Sequence, residues 1–164
     1  MIIREALDED FPKIWPTFRT VVRAGETYTI PRDIGEASAR DIWLKAPLKT
    51  YVAEKEGSIL GTYKLNVNRG GGGGHVCNCG YMVTPDARGH GVASRMCEHS
   101  QVVALELGFK AMQYNMVVST NVGAVRLWQK LGFDIVGTLP GAFHHPQKGY
   151  VDAYVMYKWL VEQA

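Results

Sequence analysis

The stretch that most constrains the fold is Tyr81–Met96, "YMVTPDARGHGVASRM". An alternating apolar run ends at Pro85, a short turn carries Gly89 and Gly91, and a helical pattern starts near Gly91. Strand, tight loop and helix in this order leave several N–H groups at the helix start without intrahelical acceptors. Small residues let the backbone approach a ligand, the helix dipole favours an anion, and Arg88 adds positive charge. The stretch therefore reads as a diphosphate cradle. A run richer in glycine, "NRGGGGGHVCNCG" from Asn68 to Gly80, precedes it. That run joins two strand-like segments and no helix follows it, so it offers no helix N-terminus and reads as a hairpin loop.

A chain of 164 residues suggests one domain, residues 1–164, able to bury a core without staples. Eighteen basic residues face sixteen acidic ones, a balance that gives no reason to expect nucleic acid as partner. No apolar run reaches membrane-spanning length, so no membrane partner is expected either. The three cysteines, Cys77, Cys79 and Cys97, and the absence of a signal-peptide pattern argue for a reducing, cytoplasmic setting. Cys77 and Cys79 lie in an alternating run with no second Cys/His pair at zinc-finger spacing, so no metal is expected.

"MIIREAL" reads as a strand, followed by a helix from an Asp8 N-cap to about Val22, with Phe11, Ile14, Trp15 and Phe18 at helical spacing. "RAGETYTIPRD" reads as a loop and "EASARDIWLKA" as a second short helix. Residues 50–68 form a hairpin turning at Glu56-Gly57, and "HVCNCGYMVT" is the next strand. Val92 to Leu107 is a helix with Val92, Met96, Val103 and Leu107 in one stripe. A strand, a helix from Val122 to Leu131 and two more strands complete the order β-α-α-β-β-β-α-β-α-β-β.

The cradle lacks the Gly-Lys-Ser/Thr of an ATP-binding P-loop. It also lacks the third small residue and the downstream acid of a dinucleotide fingerprint, with Ser94 in the third position and no acid in "QYNMVVSTN". "VTPDARGHGVASRM" instead resembles the coenzyme A loop of the GNAT superfamily of N-acetyltransferases, Gln/Arg-x-x-Gly-x-Gly/Ala, through Arg88, Gly91 and Ala93. "NVGAVRLWQKLGF" resembles that family's second pattern through Asn121, Ala124, Leu127, Leu131, Gly132 and Phe133. The resemblance implies an α/β GNAT fold: a mixed, mostly antiparallel twisted sheet of about seven strands, flanked by about four helices, with the central strands splayed. It implies acetyl-CoA as co-substrate. Met82 and Val83 would pair with pantetheine through their main chain, and the amides of Arg88, Gly89, His90, Gly91, Val92, Ala93 and Ser94 would bind pyrophosphate. Asn121 would hydrogen-bond the pantetheine arm, Ala124 would leave room for it, and Trp128 would pack on the thioester. Where the family often has a Tyr to protonate the leaving thiolate, this chain has Trp128, whose indole donates only. Trp128 therefore reads as wall, with Tyr114 and Tyr81 as alternative donors.

A narrower resemblance links "HVCNCGYMV", "YNMVVSTN" and "GYVDAYVM" to the L-azetidine-2-carboxylate acetyltransferases and their bacterial relatives. It implies that Asn78, Asn115 and Asn121 help to hold an amino or imino acid. Peptide or protein acetylation and a non-catalytic acyl-CoA sensor are the alternatives, and family members are often homodimers. Direct transfer in a ternary complex needs a neutral amine, an oxyanion donor and a departing thiolate. His75 and Glu26 are candidate bases, with a chain of water as a third route. His90 would touch phosphate rather than substrate. His99 reads as an exposed helix residue, and His144 and His145 read as a solvated loop or a substrate rim. Cys77 and Cys79 read as small apolar fillers facing away from Asn78.

Overall fold

A computed structural model describes residues 1–162. The strands are β1 (Ile2–Glu5), β2 (Lys49–Lys55), β3 (Ser58–Val67), β4 (Val76–Val83), β5 (Ala111–Val118), β6 (Asp134–His145) and β7 (Gly149–Trp159). The helices are α1 (Phe11–Ala24), α2 (Glu36–Arg40), α3 (Val92–Glu106) and α4 (Val122–Lys130). The strands form one sheet in the order β1-β2-β3-β4-β5-β7-β6. Every neighbouring pair is antiparallel except β4 and β5. This is the expected mixed sheet, in the expected element order.

Strand alternation sorts the side chains to two faces. Tyr63, Leu65, Cys77 and Cys79 pack with Met96, Cys97, Ala104, Trp128 and Phe133 on the α3/α4 face. Val52 and Met82 pack with Phe11, Ile14, Phe18 and Trp43 on the α1/α2 face. The parallel β4–β5 pair holds only at Val76↔Ala111 and Cys77↔Met112. β3 stays paired with β4 up to Gly61↔Val83, and β5 runs on along β7, so β4 and β5 diverge after Cys77. The divergence opens the sheet at its centre.

Local chemistry departs from the sequence pattern in a few places. Asp8 does not cap α1: it opens a short 3-10 turn, Asp8–Asp10, and α1 begins at Phe11. The useful carboxylate is Asp10, which accepts from the Leu7 amide at 2.7 Å and pairs with Arg4 at 2.7 Å. α2 continues as a wider π turn over Asp41–Lys45, which buries Trp43. Leu107 falls out of the α3 stripe and is exposed, because the helix stops at Glu106. His99 is not a free surface residue: its Nδ1 lies 2.8 Å from the Tyr63 hydroxyl, and burial holds its pKa below the usual histidine value.

Candidate active site

Along β4, alternate residues direct their main-chain groups to opposite neighbours. The Asn68 amide donates to the Val76 carbonyl and the Thr84 amide to the Leu60 carbonyl, both on the β3 side. The register between these bonds is unbroken, so Asn78, Gly80 and Met82 also bond β3. Cys79, Tyr81 and Val83 therefore direct their N–H and C=O groups toward the gap left by β5. This corrects the expectation for Met82. Its main chain pairs with Thr62 and its side chain is buried under α1 and α2, so only Val83 of the expected pair is free to meet a ligand strand-wise.

The stretch expected to cradle a diphosphate lies at the end of β4. Gly91 is the N-cap of α3, with φ +76°, and Gly89 has φ +78°. The space where a Cβ would stand is empty to 4 Å at both glycines, so a bound group can come against the backbone. No side chain caps the helix, which leaves the Val92, Ala93 and Ser94 amides without intrahelical acceptors. Arg88, Gly89, His90 and Gly91 are exposed around them, while the Val92 side chain is buried against Gly61 and anchors the turn. A ligand with an anionic end and an extended amide-bearing arm fits this surface: the anion at the α3 amides and Arg88, the arm along the free edge of β4.

The gap is a cavity of about 590 Å³. Val83, Arg88, Ala93, Asn121, Ala124 and Trp128 line it, as do Asn78 and Asn115. Met82, Gly89, His90, Gly91, Val92 and Ser94 do not line this cavity. Trp128 lines the cavity and tilts against Tyr81 and Tyr114, with ring centroids 5.0 and 5.3 Å apart. The hydroxyls of Tyr81 and Tyr114 lie 3.0 Å apart, and Tyr81 also meets Ser100 Oγ at 2.7 Å. Burial pushes both phenols well above the ordinary tyrosine value, and this network holds them beneath α3. Burial likewise raises the Cys79 thiol, which opposes a thiolate nucleophile there.

The three asparagines are fixed in place. Asn78 Nδ2 donates to the Gln113 carbonyl at 2.8 Å, bridging the two strands just where they part. Asn115 sits in a bulge of β5, where its Nδ2 donates to Asn68 Oδ1 at 2.8 Å and its Oδ1 accepts from Gln113 Nε2 at 2.9 Å. Asn121 caps α4 and accepts from the Ala124 amide at 3.4 Å.

Neither expected base lines the main cavity. His75 stacks on Trp159 at 5.8 Å, at the closed end of the β4–β5 pair. Glu26 lines a smaller adjoining cavity with Thr120, Asn121, His145, Gln147 and Lys148. His145 is buried there, its Nδ1 accepting from the Gln147 amide at 3.2 Å, whereas His144 is exposed and stacked on Tyr150.

Among the lining residues that the sequence reading did not single out, two make specific polar contacts. Tyr28 reaches over the cleft from the loop after α1, and its hydroxyl donates to the Tyr81 carbonyl at 2.7 Å. Lys64 projects from β3 onto the α1/α2 side, its Nζ 3.3 Å from the Ile42 carbonyl and 5.2 Å from the centre of the Trp43 ring. Polar residues alternating on a strand, as in Thr62, Lys64 and Asn66, look the same whether they face water or a cleft.

The model of the acetyltransferase (GNAT) family matches residues 3–133. A similar protein is the N-acetyltransferase aca1 of Schizosaccharomyces pombe, 30% identical over 151 residues that cover 82% of this chain and 72% of that one. The structure of a GCN5-related N-acetyltransferase from Kribbella flavida is 42% identical with a TM-score of 0.91, covering 96% of both chains. A phosphinothricin acetyltransferase from Sinorhizobium meliloti, in complex with acetyl-CoA, shares the fold at 20% identity and a TM-score of 0.87, covering 99% of this chain and 90% of that one. The chain belongs to the GNAT family and is an acetyl-CoA-dependent N-acetyltransferase.

Proposed function

We propose that this acetyltransferase acts on the amine of a small molecule held beside acetyl-CoA in a ternary complex. The observation that carries this reading is the roof over the acceptor side. Thr27, Tyr28, Thr29 and Ile30 line the cavity, and the Tyr28–Tyr81 hydrogen bond ties their loop to β4. A roofed cavity suits a compact acceptor, whereas a polypeptide needs an open groove. The narrower resemblance to azetidine-carboxylate acetyltransferases points the same way.

Acetyl-CoA supplies a thioester whose acyl carbon is open to attack by an amine. Arg88 and the first-turn amides of α3 would hold its diphosphate, and the free edge of β4 its arm. The amides of Cys79, Tyr81 and Val83 face the gap, where the acyl oxygen gains negative charge. Asn78 and Asn115 each keep a spare N–H and an acceptor lone pair to orient the amine. The proton lost by the amine has a route to Glu26 or His145 through the adjoining cavity, which shares Thr27 and Asn121 with the main one.

The test is acetyl-CoA-dependent thiol release across a panel of L-amino acids, proline analogues, aminoglycosides, polyamines and short peptides. The expected hits are small amines. Release from peptides alone would replace this reading with a protein acceptor. Release from none of them, with acetyl-CoA still raising the Tm, would replace it with an acyl-CoA sensor.

A further inference from the structure

We propose that Lys64 anchors a carboxylate on the acceptor, so that the substrates are amines bearing an acid group, the α-amino and imino acids. This rests on the small-amine reading and narrows it.

Lys64 stands on the cavity wall opposite Gly80, its partner in the β3–β4 register. Asn78, on the same face, is the next β4 residue along that face, beside Gly80. Gly80 offers no side chain, and a Cβ built there would lie 3.2 Å from the Tyr28 hydroxyl and 3.8 Å from Lys64 Cε. The end of the Lys64 side chain and the Tyr28 roof therefore border the same space above Gly80.

The charge of Lys64 has no counter-ion. Its amine reaches the Ile42 carbonyl and lies over Trp43, contacts that occupy one donor and leave the net charge in place. No ion pair among the described residues includes Lys64. Among the described residues no Asp or Glu lines the main cavity, and its charged wall residues are Lys64 and Arg88. A partly buried cation without a counter-ion is costly, and burial already pulls the Lys64 pKa down. A substrate carboxylate removes that cost on binding. Arg88 borders the cradle and answers the diphosphate of acetyl-CoA, while Lys64 lies on the opposite, α1/α2 side of the sheet. Two cations thus serve two anions, one per substrate.

The experiment compares kcat/KM for L-amino and imino acids, each matched with its carboxamide, in the wild type, Lys64→Met and Lys64→Arg. Methionine keeps the packing on Trp43 without the charge. The wild type should prefer each active acid over its amide. Lys64→Met should reduce the acid-to-amide ratio by about 30-fold or more, chiefly through the KM of the acid. Lys64→Arg should retain most of the ratio, and acetyl-CoA affinity by calorimetry should match the wild type in both. Amine turnover with no preference for the acid overturns this inference alone. An equal loss for acid and amide in Lys64→Met also overturns it, in favour of a structural or proton-accepting lysine. Failure of every small amine overturns the small-amine reading and this inference together.

Discussion

Gly91, the N-cap of α3, holds a left-handed conformation with open space where a side chain would stand. Gly91→Val would cost about 1–3 kcal/mol in backbone strain and place a branched side chain where the diphosphate must come against the amides. The expected outcome is a folded protein, by circular dichroism, whose acetyl-CoA affinity falls at least about tenfold by calorimetry, as for a lost anion contact. Undiminished affinity would mean the cradle lies elsewhere. Tyr28→Phe tests the other end of the cleft. Loss of its bond to the Tyr81 carbonyl should cost about 0.5–1.5 kcal/mol of stability and raise the acceptor KM, with acetyl-CoA affinity unchanged. A variant with wild-type acceptor kinetics would show that the roof does not shape the acceptor site. Arg88, Gly91, Ala93 and Asn121 could be singled out because they stand in two short motifs that resemble those of the GNAT family. Lys64 and Tyr28 were not, since their roles come from tertiary neighbours: Trp43 and Gly80 for the lysine, a carbonyl 53 residues away for the tyrosine.

The glycine-rich connection between β3 and β4 is an element of turn, not of binding. Gly71–Gly73 form a 3-10 turn, and none of Gly70, Gly71, Gly72, Gly73 or Gly74 lines the cleft. Shortening the five glycines to two should therefore change acetyl-CoA affinity by less than about twofold and alter stability by under about 1 kcal/mol, the scale of loop-closure entropy. A large loss of affinity would reverse the assignment of the two glycine runs. Asn68 links this connection to the cleft through Asn115, so acceptor KM is the parameter free to respond. The element order was legible throughout, because each helix and strand carries its own period and its own breaker: Gly57 at the hairpin, Gly108 after α3, Gly132 after α4. The splay of β4 from β5 was expected from the family resemblance alone; its onset after two residue pairs could not be read from either strand. Both strands alternate normally through the point of divergence. The Met82 assignment failed for the same reason, since which edge of β4 is free depends on its partners.

On the scale of the whole molecule, two of the polar ties between the sheet and its helical layers carry groups that titrate in acid. On one face, His99 of α3 meets the Tyr63 hydroxyl of β3 and packs edge-on against Tyr51 and Tyr63. On the other, Arg4 of β1 bonds Asp10, just ahead of α1, and Glu54 of β2. Both ties weaken in acid, in different windows. Burial holds the His99 pKa below 6.5, so the unfolded chain takes up a proton first. Its contribution is complete above pH 6.5 and is lost as pH falls below that value toward the lower folded pKa. The hydrogen bonds from Arg4 hold the Asp10 carboxyl below 3.8, so its contribution is complete above pH 3.8 and is lost as pH falls through the depressed folded value. The urea midpoint should therefore fall in two steps on acidification. His99→Gln should lose the first step and keep the second. Asp10→Asn should begin less stable at neutral pH, having left Arg4 half-paired, and should show the first step with a flattened second. A first step that survives in His99→Gln would assign it to another group and leave the Tyr63 tie as packing alone. Because the two ties sit on opposite faces of one sheet, the double variant should show the two losses adding, as expected for sites that share no partner.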